Sequence, residues 1–509
     1  MILSKITQAL DAKVSRSVEI EITAVSCDSR NIELDPRPFT GSLFVAIPGE
    51  HVDGHSFVPR AVSAGAIAVL AEKETPSIDA VQVIVPDVRE AISKASDIFY
   101  GQPSKSLVTI GVTGTNGKTT TTYILESILR KAGHNPGVIG TVNYRYDGKT
   151  LPAPHTTPQA PELHKILREM NDAGVTHCVM EVSSHALEQK RAADCRFRAG
   201  VFTNLTHDHL DYHKTMDEYF RCKSILFEML SASGGASVVN IDDPWGRLLA
   251  DRFAGAVSFS LKEGASIYPK SASLLEGRTE AVISTPGGDL RVSSHLVGEY
   301  NLQNIMGAIG VAVSLGIGLE AIGKGIGSLE RVPGRLEKLE SAGNGVFRAY
   351  VDYAHTSDAL QRALLALRPV TSGRLITVFG CGGNRDRLKR PKMGEIAARL
   401  SDITIVTSDN PRDEDPLEII KEIEAGIKGV KKFSHDAQPS GKGYMVVPDR
   451  MEAISKAVGL AAKGDTLLVA GKGHEDYQII KGVKHHFDDF EALSGLMRGG
   501  KEKIAAELG

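Results

Sequence analysis

Residues 107 to 120, LVTIGVTGTNGKTT, run from an apolar stretch through a glycine-rich turn into Lys118 and Thr119. The residues that follow place Ile124, Leu125, Ile128 and Leu129 at helical spacing and stop at Gly133. The segment therefore reads as strand, tight loop and helix. A strand feeding a helix through so short a loop is the unit from which parallel sheets are built. The pattern continues, because GVIGTV, HCVMEV, AGVFTNL and ASVVN read as further buried strands between helical segments. The expectation is an α/β fold whose central P-loop-type parallel sheet carries helices on both faces.

The turn also predicts a ligand. Its glycines let backbone N–H groups close around an anion, and the helix N-terminus adds positive potential there. Lys118 would supply a point charge to the β- and γ-phosphates, and Thr119 a hydroxyl where Mg²⁺ would sit. The loop runs Gly114-Thr115-Asn116-Gly117-Lys118-Thr119-Thr120 and departs from G-x-x-x-x-G-K-[ST], since Val112 stands where the first glycine belongs. A plain turn with no ligand would leave the Lys-Thr pair unexplained. A kinase, a regulatory GTPase and a ligase could each own this loop, but no N-K-x-D that would read guanine is present.

A length of 509 residues suggests roughly three domains. Residues 1–103 mix short strands (SLFVAI, AIAVLAE, VQVIVP) with Pro and Gly punctuation and read as a small N-terminal α/β domain. The central domain spans 104–331. Pro333 and Gly334 then break the pattern, and 332–509 reads as a C-terminal Rossmann-like α/β domain with strands in FRAYVDYA, RLITVFG, DITIVTS and DTLLVAG. The apolar stretch 304–323 reads as one buried helix, because it falls short of the ~20 apolar residues that a bilayer span needs. The net charge of -3 gives no reason to expect a nucleic acid. Five cysteines, an odd number with no CxxC, fit reduced thiols in the cytoplasm. The opening MILSKITQALDAK lacks the pattern of a signal peptide. A monomer acting on small molecules, away from membranes, is expected.

Two further stretches gather polar groups past strand ends. VMEVSSHALEQKR puts Glu181 where a carboxylate beside the loop could hold Mg²⁺ directly or through water. TNLTHDHLDYH packs His207, Asp208, His209, Asp211 and His213 into seven residues, which points to metal chemistry more than to a solvated loop. No Cys joins that stretch and a nucleotide is implied, so Mg²⁺ is expected and not zinc.

GTNGKTTT, MEVSSHAL, NLTHDHLDYH with a following RCKSILF, GEYNLQNIMGA, VPGRLE, VDYAHTSDAL and VFGCGGNRDRLKRPKMG occur in this order across essentially the whole chain. In that set and order the chain resembles the Mur ligase family, the ATP-dependent amide ligases of peptidoglycan precursor synthesis. The resemblance implies that a substrate carboxylate takes the γ-phosphoryl of ATP to give an acyl phosphate, which an amine then attacks. It implies metal ligands at Thr119, Glu181, His209 and Lys223, with Lys223 carried as an N-carbamate. The residue-level alternative for Lys223 is an ordinary surface lysine on a helix. Catalytic roles fall by resemblance to Lys118, Lys223, His209 and His355. Asn304 would meet adenine, and Arg335 and Asp352 would reach the nucleotide from beyond the linker. For the UDP-sugar dipeptide, UDP-MurNAc-L-Ala-D-Glu, the matching residues are Ser29, Thr156, Thr157, Ser183, Gln189 and Arg191. His155 stands where the family usually has Asn.

DNPR, residues 409 to 412, is by the same resemblance the signature for meso-diaminopimelate as the incoming amino acid. Arg412 offers a fork for that molecule's extra carboxylate. Arg385 supplies a second guanidinium, Asp409 and Asn410 could meet the ammonium, Pro411 fixes the turn, and Gly471 and Glu475 complete the wall. A folylpolyglutamate synthetase-like ligase would share the loop and Lys223 but not this corner.

Overall fold

The computed structural model describes residues 1–507 except 17–18, 30–38, 50–51, 276 and 340–346, and the side chains of 275 and of 499 onward lie outside that description. The strand before the glycine loop, Val108–Thr113, lies inside an eight-stranded sheet. It pairs in parallel with His177–Glu181 on one side and Phe197–Phe202 on the other. Ile110 and Val112 turn to one face of this sheet, where they meet Ile124 and Ile128 of the loop helix Lys118–Lys131 and Ile305 of helix Glu299–Ser314. On the other face Met180 and Phe202 pack with Leu163, Leu226 and Phe227 from helices Ala160–Asp172 and Met216–Ser233. Burial on both faces explains why these strands read as continuous apolar runs without alternation.

Two expectations for this region fail. The central region is not purely alternating strand and helix. Tyr268–Leu275, Arg278–Thr285 and Gly288–Ser294 form a separate antiparallel three-stranded sheet, and along Arg278–Thr285 burial alternates strictly, as in a sheet with one wet face. The apolar stretch 304–323 is not one helix either. Glu299–Ser314 ends at Gly316, whose φ is +77°, and a second helix, Leu319–Ser328, follows. Glycine alone takes that left-handed φ at no steric cost. Among the described residues no helix is long and apolar enough to cross a membrane.

The N-terminal sheet has five strands in the order Lys13–Val14, Val81–Ile84, Ala68–Ala71, Leu43–Val45, Val25–Ser26. Lys190 ties this part to the centre through Asp87 and Glu90, each at 2.8 Å. The C-terminal sheet has seven strands. Its parallel core brings the ends of Arg348–Asp352, Thr466–Ala470, Leu375–Phe379 and Ile403–Val406 to one edge, with Asp352 and Phe379 both opposite Ala470 and Phe379 opposite Val406. Open α/β sheets place ligands at such an edge.

Arg450 braces this edge from inside. It is fully buried against an equally buried Asp489, at 2.7 and 2.6 Å, and it also donates to the carbonyls of Ser408 and Ala470, the residues just before Asp409 and Gly471. Asp489→Ala would strand a buried guanidinium and should cost about 3–5 kcal/mol of stability, read as a lower urea midpoint. An unchanged midpoint would show that the pair carries no such load.

Candidate active site

Gly114 and Gly117 adopt φ of +143° and +87°. A Cβ on Gly114 would lie 1.9 Å from Thr203 Oγ1, and one on Gly117 would lie 2.3 Å from Asn304 Oδ1. Both positions therefore need glycine for conformation and for space. The loop is held from the neighbouring strand end, where Thr203 Oγ1 donates to Asn116 O at 2.6 Å and Asn116 N donates to Asn204 Oδ1 at 3.0 Å. Lys118 folds back over the loop and donates to the carbonyls of Gly114 and Thr115, at 2.9 and 2.8 Å. Lys223 reaches the same Gly114 carbonyl from helix Met216–Ser233, at 2.8 Å. It is 1% exposed, so the surface-lysine alternative fails. Burial, reinforced by the Lys118 charge, pushes the Lys223 amine well below the usual lysine range. Burial also lowers Lys118, against the pull of Glu181 and Asp208.

Glu181, buried at its strand end, accepts from Thr119 Oγ1 and Thr141 N on one oxygen and from Thr141 Oγ1 on the other, all at 2.9 Å. Thr141 was not anticipated from sequence. The available signal was the Gly-Thr step past strand Pro136–Ile139, since a Cβ on Gly140 would sit 2.6 Å from the Glu181 carboxylate. The histidine-rich stretch does not form one cluster, as its sequence crowding suggested. His207 faces Asp386 of the C-terminal region at 3.4 Å, and Asp211 is exposed. Asp208 and His209 line the cleft, whereas His213 turns away to Ser184 Oγ at 2.8 Å. His209 takes a left-handed φ of +54° at the start of helix Leu210–His213. A hard divalent cation fits here, because the Thr119 hydroxyl and the Glu181 carboxylate supply adjacent oxygens, with His209 lining the same cleft.

The C-terminal region closes this cleft, which has a volume of about 240 Å³. Arg335 crosses the linker to donate to Thr119 Oγ1 at 3.0 Å, with its guanidinium 4.4 Å over the Tyr353 ring. Asn116 of the loop donates to Asp358 at 2.9 Å, a contact that nothing local in the sequence announces. Asp352 accepts from the backbone N–H groups of Leu336 and Ala354, so it fixes the linker turn as well as lining the cleft. His355 lies 2.8 Å from Tyr353 O through Nδ1. A carbonyl only accepts, so Nδ1 carries the proton and Nε2 the lone pair. Burial lowers His355 to about 4, so the ring is neutral at pH 7. Asn304 also lines the cleft and donates to Asn301 at 3.2 Å.

Thr156 lies 3.0 Å from Thr141, and Thr157 donates to the Glu181 carbonyl at 2.8 Å while accepting from Ser183 N at 3.1 Å. Arg191 donates to Thr157 O at 2.9 Å and to Gln189 Oε1 at 2.7 Å. It has no carboxylate in ion-pair range among the described residues, and burial lowers its pKa. Ser29 is half-buried at the last described position before 30–38.

At the DNPR corner the roles divide unexpectedly. Asn410 is spent on scaffold, since it accepts from Ile479 N at 2.9 Å and donates to Glu475 at 2.9 Å. Asp409 Oδ1 is buried without a hydrogen-bond partner, 3.5 Å from Lys472. Gly471, at φ +120°, lets the chain pass Asp409, because its Cβ would meet Oδ2 at 3.4 Å. The backbone of Arg412 is pinned between Ile479 O at 3.0 Å and Lys481 N at 2.7 Å, both from the hairpin Tyr477–Ile480 and Val483–His486 and its turn. Its side chain donates to Gly383 O at 2.8 Å. Pro411 presses its carbonyl on Gly383, where a Cβ would be 1.9 Å away. Burial and the nearby Arg385 both lower the Arg412 pKa. Neither guanidinium has a carboxylate in ion-pair range among the described residues, and Arg385 donates only to Asn384 O. Burial, followed by the Asp409 charge, raises Glu475.

Three family models match the chain: the Mur ligase family catalytic domain over residues 21–100, the Mur ligase middle domain over 112–312, and the Mur ligase glutamate ligase domain over 334–473. The chain is 45% identical over 494 residues to a protein of Geobacter metallireducens named UDP-N-acetylmuramoyl-L-alanyl-D-glutamate--2,6-diaminopimelate ligase, with 95% of each chain covered. A protein of Clostridium tetani with the same name is 41% identical over 504 residues, covering 98% of this chain and 99% of its own. A solved structure of a ligase of that name superposes with a TM-score of 0.66 at 32% identity, over 96% of this chain and 98% of that one. MurF from Acinetobacter baumannii, at 20% identity and a TM-score of 0.67, shares the fold.

Burial sets a pH limit on this architecture. His164, His177 and His355 are each held at about 4 by burial, against about 6.5 in an unfolded chain. Between those values the unfolded chain binds protons that the folded chain refuses, so the contribution is complete above pH 6.5 and is lost as pH falls toward 4. His185 and His213, also lowered to about 4, and His474, to about 3, act in the same direction, whereas Asp97, raised by burial to about 6 and 3.4 Å from His164, opposes them along with other buried carboxyls such as Asp194 and Asp243. The thermal midpoint should therefore fall between pH 7 and pH 5. A flat or rising midpoint would contradict the assignment of these rings as neutral.

Proposed function

The chain belongs to the Mur ligase family, and from that premise we propose how its residues work. It is an ATP-dependent ligase of peptidoglycan precursor synthesis that joins 2,6-diaminopimelate to UDP-N-acetylmuramoyl-L-alanyl-D-glutamate, the reaction that its relatives' names describe. A free carboxylate at pH 7 is a poor electrophile with a poor leaving group. Transfer of the γ-phosphoryl to the glutamyl carboxylate gives an acyl phosphate, and attack by the amine forms the amide and releases phosphate. The task of the site is to gather phosphates and a carboxylate without prohibitive repulsion.

Lys118 and the loop N–H groups from Gly114 to Thr120 hold the phosphates. Arg335 adds a second cation at Thr119, and Asn304 and Asp352 face the nucleoside side of the cleft. Thr119, Glu181, His209 and a carbamylated Lys223 would hold Mg²⁺, which when bound draws charge from the phosphate oxygens. Lys223 is suited to capture CO₂ because it is buried on Gly114 O and its amine is pushed well below the usual lysine range. His355, neutral with Nε2 unprotonated, lines the same cleft and would meet the transferring phosphoryl without competing as a cation. Ser29, Thr156, Thr157, Ser183, Gln189 and Arg191 take the UDP-dipeptide, with Arg191, which has no carboxylate in ion-pair range among the described residues, as a cation for its anionic groups. All of these groups belong to one chain, so the reaction needs no second copy. The five cysteines form no disulfide among the described residues, which with the use of ATP suits the cytoplasm.

The observation that carries the amino-acid assignment is the guanidinium pair Arg385 and Arg412, which has no carboxylate in ion-pair range among the described residues and lies past the strand ends. Meso-diaminopimelate brings the missing carboxylate; lysine does not. Glu475 and Asp409 are the anions available to its distal ammonium, while Asn410, Pro411 and Gly471 hold the corner in shape.

Arg412→Ala should raise the KM for meso-diaminopimelate by about 100-fold and leave the KM for ATP unchanged. Equal KM values for the amino acid in both proteins would remove Arg412 from recognition. Lys223→Ala should lose nearly all ligation, with part restored by added short carboxylic acids. Full turnover in that variant would end the carbamate reading.

A further inference from the structure

Three helices meet beside the cleft. Ser184–Glu188 ends at Glu188, Leu210–His213 ends at His213, and Met216–Ser233 carries Cys222. A carboxylate oxygen, an imidazole nitrogen and the thiol sulfur of these three residues all lie within 4.8 Å of one another. The stretch His207–His213 contains no cysteine along the chain, yet folding brings one to it.

His213 is the informative member. Its Nε2 lies 2.8 Å from Ser184 Oγ, and its ring stacks on Tyr219 with centroids 5.0 Å apart and planes 21° apart, so the ring is fixed. Nδ1 is buried and has no hydrogen-bond partner. Glu188 Oε2 is the facing group, and at 3.8 Å it is too far for a hydrogen bond. Orphaned nitrogens of this kind are rare inside proteins. The Ser184 hydroxyl can accept from Nε2–H, which leaves the lone pair on Nδ1. Metal-bound histidines are set up in the same way, with the second nitrogen donating to an outer partner. Cys222 is fully buried with a free thiol, and Glu188 is exposed, which gives an ion a way in.

We propose that Glu188, His213 and Cys222 bind a thiophilic divalent cation of the zinc type, distinct from the magnesium ligands, and that its binding inhibits the enzyme. One oxygen, one nitrogen and one sulfur suit a tetrahedral ion with water in the fourth position, at metal–donor distances of about 2.0–2.3 Å. The donors need to close by roughly 1 Å to reach that geometry, and the exposed Glu188 side chain is free to supply most of the movement. The ion takes the place of the thiol proton, which goes to solvent. Cys222 precedes Lys223, whose amine sits on Gly114 O. The His213 ring also touches His185 at 5.2 Å, and His185 meets His209 edge-on at 5.0 Å. Closure on an ion therefore pulls the turn that aims Lys223 and adds positive charge beside it.

Two measurements on the full chain test this. Titration with Co²⁺ should give a thiolate-to-metal absorption band with wild type that is absent with Cys222→Ala, and this arm does not depend on the assigned reaction. With free Zn²⁺ set by a metal buffer at saturating Mg-ATP, ligation should be inhibited at concentrations about 10–100-fold lower in wild type than in Cys222→Ala or Glu188→Gln. Glu188→Gln keeps the proposal testable if the buried cysteine variant folds poorly. No thiolate band in wild type, or the same zinc sensitivity in wild type and variants, would overturn the proposal.

Discussion

The carbonyl oxygen of Gly114 accepts from two lysines, Lys118 at 2.9 Å and Lys223 at 2.8 Å. Two ammonium ions a few ångströms apart repel by about 4 kcal/mol even at an effective dielectric of 20. Lys223 is buried and Lys118 half-buried, and Glu181 is already satisfied by three donors from Thr119 and Thr141. The arrangement favours the neutral form of one lysine, and Lys223, enclosed by the protein and facing the Lys118 charge, is pushed well below the usual lysine range. The lowered amine follows from the packing of helix Met216–Ser233 against the loop strand, and under the proposed function it is the group that would capture CO₂.

The same loop fixes the relation between the central and C-terminal parts. Asn116 reaches Asp358, and Arg335 reaches Thr119, so the phosphate site is completed by residues some 216 to 242 positions further along the chain. The C-terminal sheet ends on the same cleft through Asp352 and His355. The DNPR corner sits at another point on that sheet edge, braced by buried Arg450 from below and by the hairpin Tyr477–Ile480 and Val483–His486 from the side. The cleft and the DNPR corner are thereby built on a single sheet edge.

Much of this was legible in the sequence because it is local. The strand, glycine turn and Lys-Thr pair announce the loop within a dozen residues, and Glu181, Asp409 and Gly471 each follow an apolar run that ends as a strand. The parts that were not legible depend on contacts between distant segments. Thr141 meets Glu181 because two parallel strands are neighbours. Cys222 joins His213 because two helices converge. Asn410 also serves the hairpin, since Ile479 N needs an acceptor. Crowding in sequence also misled, because His207, His209 and His213 point in three directions once the left-handed turn at His209 is made. The antiparallel sheet at 268–294 went unseen because its alternating pattern was read as part of the surrounding α/β rhythm.

The central claim is that Lys223 is neutral and carries CO₂. Wild-type protein equilibrated with ¹³C-bicarbonate should show a carbamate carbon resonance that is absent from Lys223→Arg, and ligation should fall in CO₂-free buffer and return when bicarbonate is added. Full ligation in CO₂-free buffer, with no carbamate resonance in the wild type, would contradict the account.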